Sequence, residues 1–281
     1  MKLPWFAVGL VLLFAVFVAA PYFIPSVPGA YAASVGALAL MLMWIGYRIV
    51  GRPLGILVNE RNVMSLTRFQ TVLWTVLITA AFSTLLLGAL YHNRDVTQLL
   101  NETVRPDLLA LMGISYVSAV TAGAMQAGKT NKTADDAAVQ KSQAINGAAA
   151  DQPQGVLYAN KTAGQAAVTD MFEGDEVCDT HLVDMAKVQM FFFTVVSAAY
   201  FISRMWPQST NLVPQLPTNL IALMGISHAG YLGSKSVTKT PEAQPGAQPQ
   251  PQAQPQLPPP PQPSVVTSTQ PTPVPPPQKQ L

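Results

Sequence analysis

Long runs of uncharged, apolar sequence constrain this chain more than any other feature. Between Phe69 and Tyr91 there is no Asp, Glu, Lys or Arg, and from Met1 to Ile24 the only charged side chain is Lys2. At 1.5 Å per residue, about 20 helical residues cross a hydrocarbon core of roughly 30 Å. Lipid tolerates such runs only where each backbone hydrogen bond closes within the segment, which selects helices. Six segments qualify: Met1 to Ile24, Ala30 to Tyr47, Phe69 to Tyr91, Leu108 to Met125, Val188 to Met205 and Asn219 to Ser234. The last is the shortest. Ala30-Tyr31-Ala32 has the small-x-small look of a signal cleavage site. It lies well past the apolar run, so the first segment is read as an uncleaved helix.

Two of these helical pairs are written in nearly the same letters. RFQTVLWTVLITAAF from Arg68 and KVQMFFFTVVSAAYF from Lys187 share a basic residue, then Gln (Gln70, Gln189), then Thr five positions on (Thr75, Thr194). LLALMGIS from Leu108 and LIALMGIS from Leu220 close the two units. The expected fold is all-α and transmembrane, with six spans, an internal repeat of one helical hairpin, a disordered loop and a Pro-rich tail. Its parts are an N-terminal hairpin (1–50), a connection (51–67), the first repeat (68–126), a flexible and acidic loop (127–186), the second repeat (187–235) and a disordered Pro/Gln-rich tail (236–281).

Charge sets the orientation. With both termini cytoplasmic, thirteen of the sixteen Lys and Arg residues fall inside, leaving only Arg94, Arg105 and Arg204 outside. That split follows the positive-inside bias, and it makes the repeat parallel rather than inverted. A net charge of +2 is too small to suggest nucleic acid, and a single cysteine, Cys178, excludes a disulfide framework. Gln126 to Gln165 has almost no large apolar residues and reads as flexible. Asp170 to Asp184 then holds six carboxylates and reads as a solvated entry to the next helix. Pro241 to Leu281 contains fifteen of the 25 prolines and reads as an extended, polyproline-II-rich tail.

The chemistry-bearing patterns are weak. Gly123 to Thr130 matches G-x-x-x-x-G-K-T literally, but a phosphate loop needs a strand before it and a helix after it. Here a membrane span precedes, so small residues ending in an interfacial lysine are the plainer reading. Cys178 and His181 alone supply too few ligands for zinc, and the acidic spacing fits no EF-hand loop. Three scattered histidines assemble no catalytic set, so neither an enzyme activity nor a cofactor is expected. The candidate positions are polar residues inside the spans: Gln70, Thr75, Ser115, Gln189, Thr194, Ser227 and His228. No Asp, Glu or Lys sits mid-span, which argues against a pump.

KVQMFFFTVV together with LIALMGISHAGYLGSK resembles a pattern in uncharacterised bacterial multi-pass membrane proteins. The resemblance covers Lys187 to Lys235 and, through the repeat, Arg68 to Thr121. It implies a bacterial inner-membrane location and no activity. The function expected is a non-enzymatic anchor or scaffold in the lipid bilayer, offering its loop and tail to a cytoplasmic protein partner. A channel or facilitator for a small solute, lined by the paired Gln, Thr and Ser residues, is the alternative.

Overall fold

The computed structural model describes residues 3–93, 95–97, 106–146, 153–206 and 213–243. Five helices are long and apolar enough to cross a membrane: α1 (Leu3–Phe23), α2 (Val27–Val50), α3 (Leu66–Tyr91), α4 (Pro106–Thr130) and α6 (Met185–Met205). The sixth expected span is present as a helix, α7 (Thr218–Ser236), but it falls outside that group. Asn219, Ser227, His228, Ser234 and Lys235 dilute its apolar content. A further short helix, α5 (Asp136–Asn146), follows α4. Among the described residues there is no strand, only isolated bridges.

Local chemistry explains where the helices begin and end. Pro28 sits in the first turn of α2, where its missing N–H costs nothing, and Gly51 ends the helix in the left-handed conformation (φ 80°). Ser65 caps α3 by accepting from the Arg68 N–H. Asp184 caps α6, its carboxylate accepting from the N–H groups of Ala186 and Lys187 at 3.0 and 3.3 Å.

α3 is the hub. It packs against α1, α2, α4 and α6, while α7 packs against α4 and α6. Trp74, Leu77, Ala80 and Ala81 of α3 lie in the main core with Leu111 of α4, Phe201 of α6 and Met224 of α7. Outer faces carry exposed apolar side chains such as Val117 and Val120 on α4 and Phe192 and Val196 on α6, as lipid contact requires.

The connection 51–67 folds tightly against the end of α2. A Cβ on Gly46 would lie 2.8 Å from the Ile56 backbone nitrogen, so only glycine permits this approach. Leu57, Val58, Val63 and Met64 of the connection are buried.

Two expectations are corrected here. The segment 127–186 reads as a flexible loop, yet its described residues are folded onto the helix ends. Its first residues complete α4, α5 follows, and 153–184 form turns that bury Val156, Leu157, Met171 and Val177. Compositional disorder rests on a segment's failure to build its own core. This segment has no need of one, because Ala166 and Met171 dock into a second core with Met64, Leu66, Met190 and Tyr231. The tail, expected to be disordered from 236, is likewise ordered through Ala243, whose N–H donates to the Thr133 carbonyl at 2.9 Å. Residues 244–281, the bulk of the Pro-rich sequence, lie outside the described residues.

Candidate functional site

The folded loop and the root of the tail form a cap on one end of the helix bundle, and charge holds it there. At its centre stands Asp175. Arg61 from the connection reaches its Oδ1 at 2.8 Å, Lys187 from the first turn of α6 reaches Oδ1 at 3.2 Å, and Lys235 from the last turn of α7 reaches Oδ2 at 2.8 Å. Gln126 of α4 joins them: with its amide oxygen facing the cations, it accepts from Arg61 at 3.2 Å and from Lys235 at 2.6 Å. One carboxylate therefore ties the connection, α6 and α7 together, and through Lys235 and Arg61 it reaches α4.

Burial alone would raise the Asp175 pKa. The combined field of Lys187, Lys235 and Arg61 outweighs it and holds the carboxyl well below the usual carboxylate range. Lys187 also donates to the Glu173 carbonyl, and Arg61 Nη1 donates to the carbonyls of Tyr158 and Asp175 at 2.9 and 3.1 Å. These bonds partner Lys187 and the terminal nitrogens of Arg61, whose Nε is buried without a partner.

A second set of bonds fixes the tail root. Glu176 is 2% exposed; its Oε1 accepts from Lys129 at 2.6 Å, and its Oε2 accepts from the backbone N–H groups of Lys239 and Thr240 at 2.8 and 2.6 Å. Against the cost of burial, the Lys129 bond and the two N–H groups lower the Glu176 pKa. Lys239 in turn pairs with Asp179 at 2.9 Å. On the other side of the root, Asp135 N–H donates to the Pro241 carbonyl at 2.9 Å. The literal phosphate-loop match is thereby accounted for: Gly123 to Thr130 ends a helix, and Lys129 is paired with Glu176.

Asp170 joins cap to connection. Its Oδ2 accepts from the N–H groups of Met64 and Ala167, both at 2.9 Å. Burial raises its carboxyl above the usual value, and these two bonds only partly offset that shift. Asn62 and Asn160 exchange side-chain amide bonds with each other's carbonyls, each at 2.9 Å. Among the described residues no three His, Cys, Asp or Glu side chains are placed to hold a metal ion. The acidic cluster instead uses its carboxylates on lysines, arginine and backbone N–H groups.

The polar positions singled out within the spans separate into three kinds. Gln70 and Thr194 meet: Gln70 Nε2 donates to Thr194 Oγ1 at 2.6 Å, with Thr194 Oγ1 donating to the Met190 carbonyl at 2.8 Å. Their counterparts, Gln189 and Thr75, are both exposed. Ser115 and Ser227 are buried without a hydrogen-bond partner for their hydroxyls. His228 is 3% exposed and its Nδ1 lies 2.8 Å from Ser118 Oγ, an α4–α7 contact.

The residues that the sequence reading passed over are the counter-ions, Arg61, Lys129, Lys187 and Lys235. The signal was available. Each stands at the end of a span or in the short connection, on the same side of the spans as the six carboxylates of 170–184 in the orientation read from charge. No protein-family model matches this chain, and neither the curated proteins nor the solved structures provide a match.

Proposed function

We propose that the chain is a non-enzymatic anchor of the bacterial inner membrane that displays its Pro-rich tail from a rigid cytoplasmic cap. The observation that carries this reading is the tail root. Val237 to Ala243 is bonded into the cap through Glu176, Asp179, Thr133 and Asp135, so the tail leaves from a fixed point beside the helix ends. A tether needs such a point, because a partner binding far along a flexible chain is positioned only as well as its root. Both termini and the cap lie on the cytoplasmic side in this reading, in keeping with the basic residues gathered there. Extended Pro-rich sequence fits aromatic-lined grooves in a partner protein.

We read α3–α4 and α6–α7 as two copies of one hairpin, with α7 as a sixth, less apolar span. In support, the pairings α3–α4, α6–α7, α3–α6 and α4–α7 map onto themselves when the copies are exchanged. The solute-channel alternative has weaker support. One residue it would need along a pathway, Gln70, is buried and consumed by Thr194.

Ending the chain after Gln244 tests the tether while leaving the root intact. Partner recovery from solubilised membranes is expected to fall to background with membrane insertion unchanged. Undiminished recovery would rule the tether out.

A further inference from the structure

The repeat uses its main contact only once. Within the chain, Gln70 and Trp74 of α3 meet Met190, Thr194 and Phe201 of α6: Gln70 bonds Thr194, and the Trp74 and Phe201 rings meet edge to face at 6.3 Å. Aligning the copies gives the equivalents. The Gln70–Trp74 half corresponds to Gln189–Phe193 on α6, and the Met190–Thr194–Phe201 half corresponds to Thr71–Thr75–Phe82 on α3. An exact two-fold exchange would bring these second halves together as well. They remain apart, with Gln189 and Thr75 exposed and Thr71, Phe82 and Phe193 half-buried.

The open half on α3 is already shaped as a receptor. Between α3 and α4 lies a cavity of about 300 Å³ lined by Thr71, Trp74, Thr75, Met112, Gly113, Ser115 and Tyr116. Two of these residues, Trp74 and Ser115, are 1% and 2% exposed, and neither the indole N–H nor the hydroxyl has a hydrogen-bond partner. Buried polar atoms of this kind ordinarily find partners. A glutamine amide entering here brings both an acceptor and donors.

We infer that the α6 face of a second copy of this chain, led by its Gln189, docks into the α3–α4 groove at Thr75, repeating between chains the Gln70–Thr194 contact made within one. Position 71 follows 70, and 190 follows 189, so the two contact faces on each helix differ by one residue. That step turns about 100° around a helix. With two hairpins per chain a closed ring holds an even number of them, and about 100° is nearer to the interior angle of roughly 90° in a ring of four than to the roughly 120° of six, which makes the assembly two chains with both groove contacts satisfied at once. In lipid, such an interface is held by packing and interhelical hydrogen bonds rather than by a hydrophobic drive.

The inference rests on reading the two hairpins as copies of one unit, and its test separates the two ideas. In a Cys178→Ser background in native membranes, Thr75→Cys with Gln189→Cys is treated with a short bifunctional thiol reagent, which makes up for cysteine being shorter than the glutamine it replaces. A cross-linked dimer is expected, lost in either single-cysteine variant and lost also when Val120→Cys, on an exposed α4 face, replaces Thr75→Cys. Gln70→Cys with Thr194→Cys serves as the internal reference and is expected to link within the chain. An internal link without the dimer, as when an acyl chain fills the groove, overturns the interface alone. Equal dimer from the Val120→Cys pair overturns it as random collision. Loss of the internal link overturns the repeat contact from which the interface is drawn.

Discussion

At Asp175, removing one charge is costlier than its partial exposure of 16% suggests. Asp175→Asn leaves Arg61, Lys187 and Lys235 facing one another in a buried space. Breaking a buried ion pair from one side costs about 3 to 5 kcal/mol. The expected result is release of the cap with the helices still inserted, seen as new protease cleavage within 153–184. The same carboxylate sets a pH dependence. Its pKa in the folded protein lies below the unfolded value of about 3.9, so its contribution is present above that value and is lost as pH falls through the folded one. Glu176 acts in the same direction. Asp170, raised on folding, opposes them, since its protonation favours the folded cap. With two lowered carboxylates against one raised, the cap is expected to hold from neutral pH down to about 4 and to open below it. Protease sensitivity of 153–184 against pH reads this directly, and Asp175→Asn should remove most of the acid transition.

At the scale of elements, the long apolar helices were legible, and α5 and the cap were not. Uncharged runs of sufficient length leave lipid-spanning helices as the only economical solution, so α1 to α4 and α6 stand where hydropathy puts them. The 127–186 segment defeats the same reasoning because composition measures what a segment can bury by itself. Here Met171 and Ala166 borrow their core from Met190 and Tyr231, and the carboxylates borrow counter-ions from helix ends. Asp175 and Glu173 look alike in sequence, and only folding decides that the first becomes the hub. Similar letters did not mean similar surroundings. Gln70 and Gln189 occupy equivalent places, yet one is bonded to Thr194 and the other is exposed. Gln70→Leu should therefore lower thermal stability by about 0.6 to 2 kcal/mol, the worth of an interhelical bond in a membrane. Gln189→Leu should leave the stability of a single chain nearly unchanged. A differential-scanning measurement on both variants in detergent separates them.

For the whole molecule, the cap joins the helix ends to the root of the tail. Glu176 links the end of α4, through Lys129, to the tail root, through the N–H groups of Lys239 and Thr240. Glu176→Ala should free that root, making Val237 to Ala243 cleavable by protease while the helices stay inserted in the membrane. The acidic segment is docked rather than free, and amide hydrogen exchange of the chain in lipid nanodiscs tests this. Tyr158, Val177 and Asp184, whose N–H groups donate to the carbonyls of Asp175, Val156 and Phe172, are expected to be protected in the native chain and to lose that protection in Asp175→Asn. Exchange of those three amides at unprotected rates in the native chain would show the segment to be undocked.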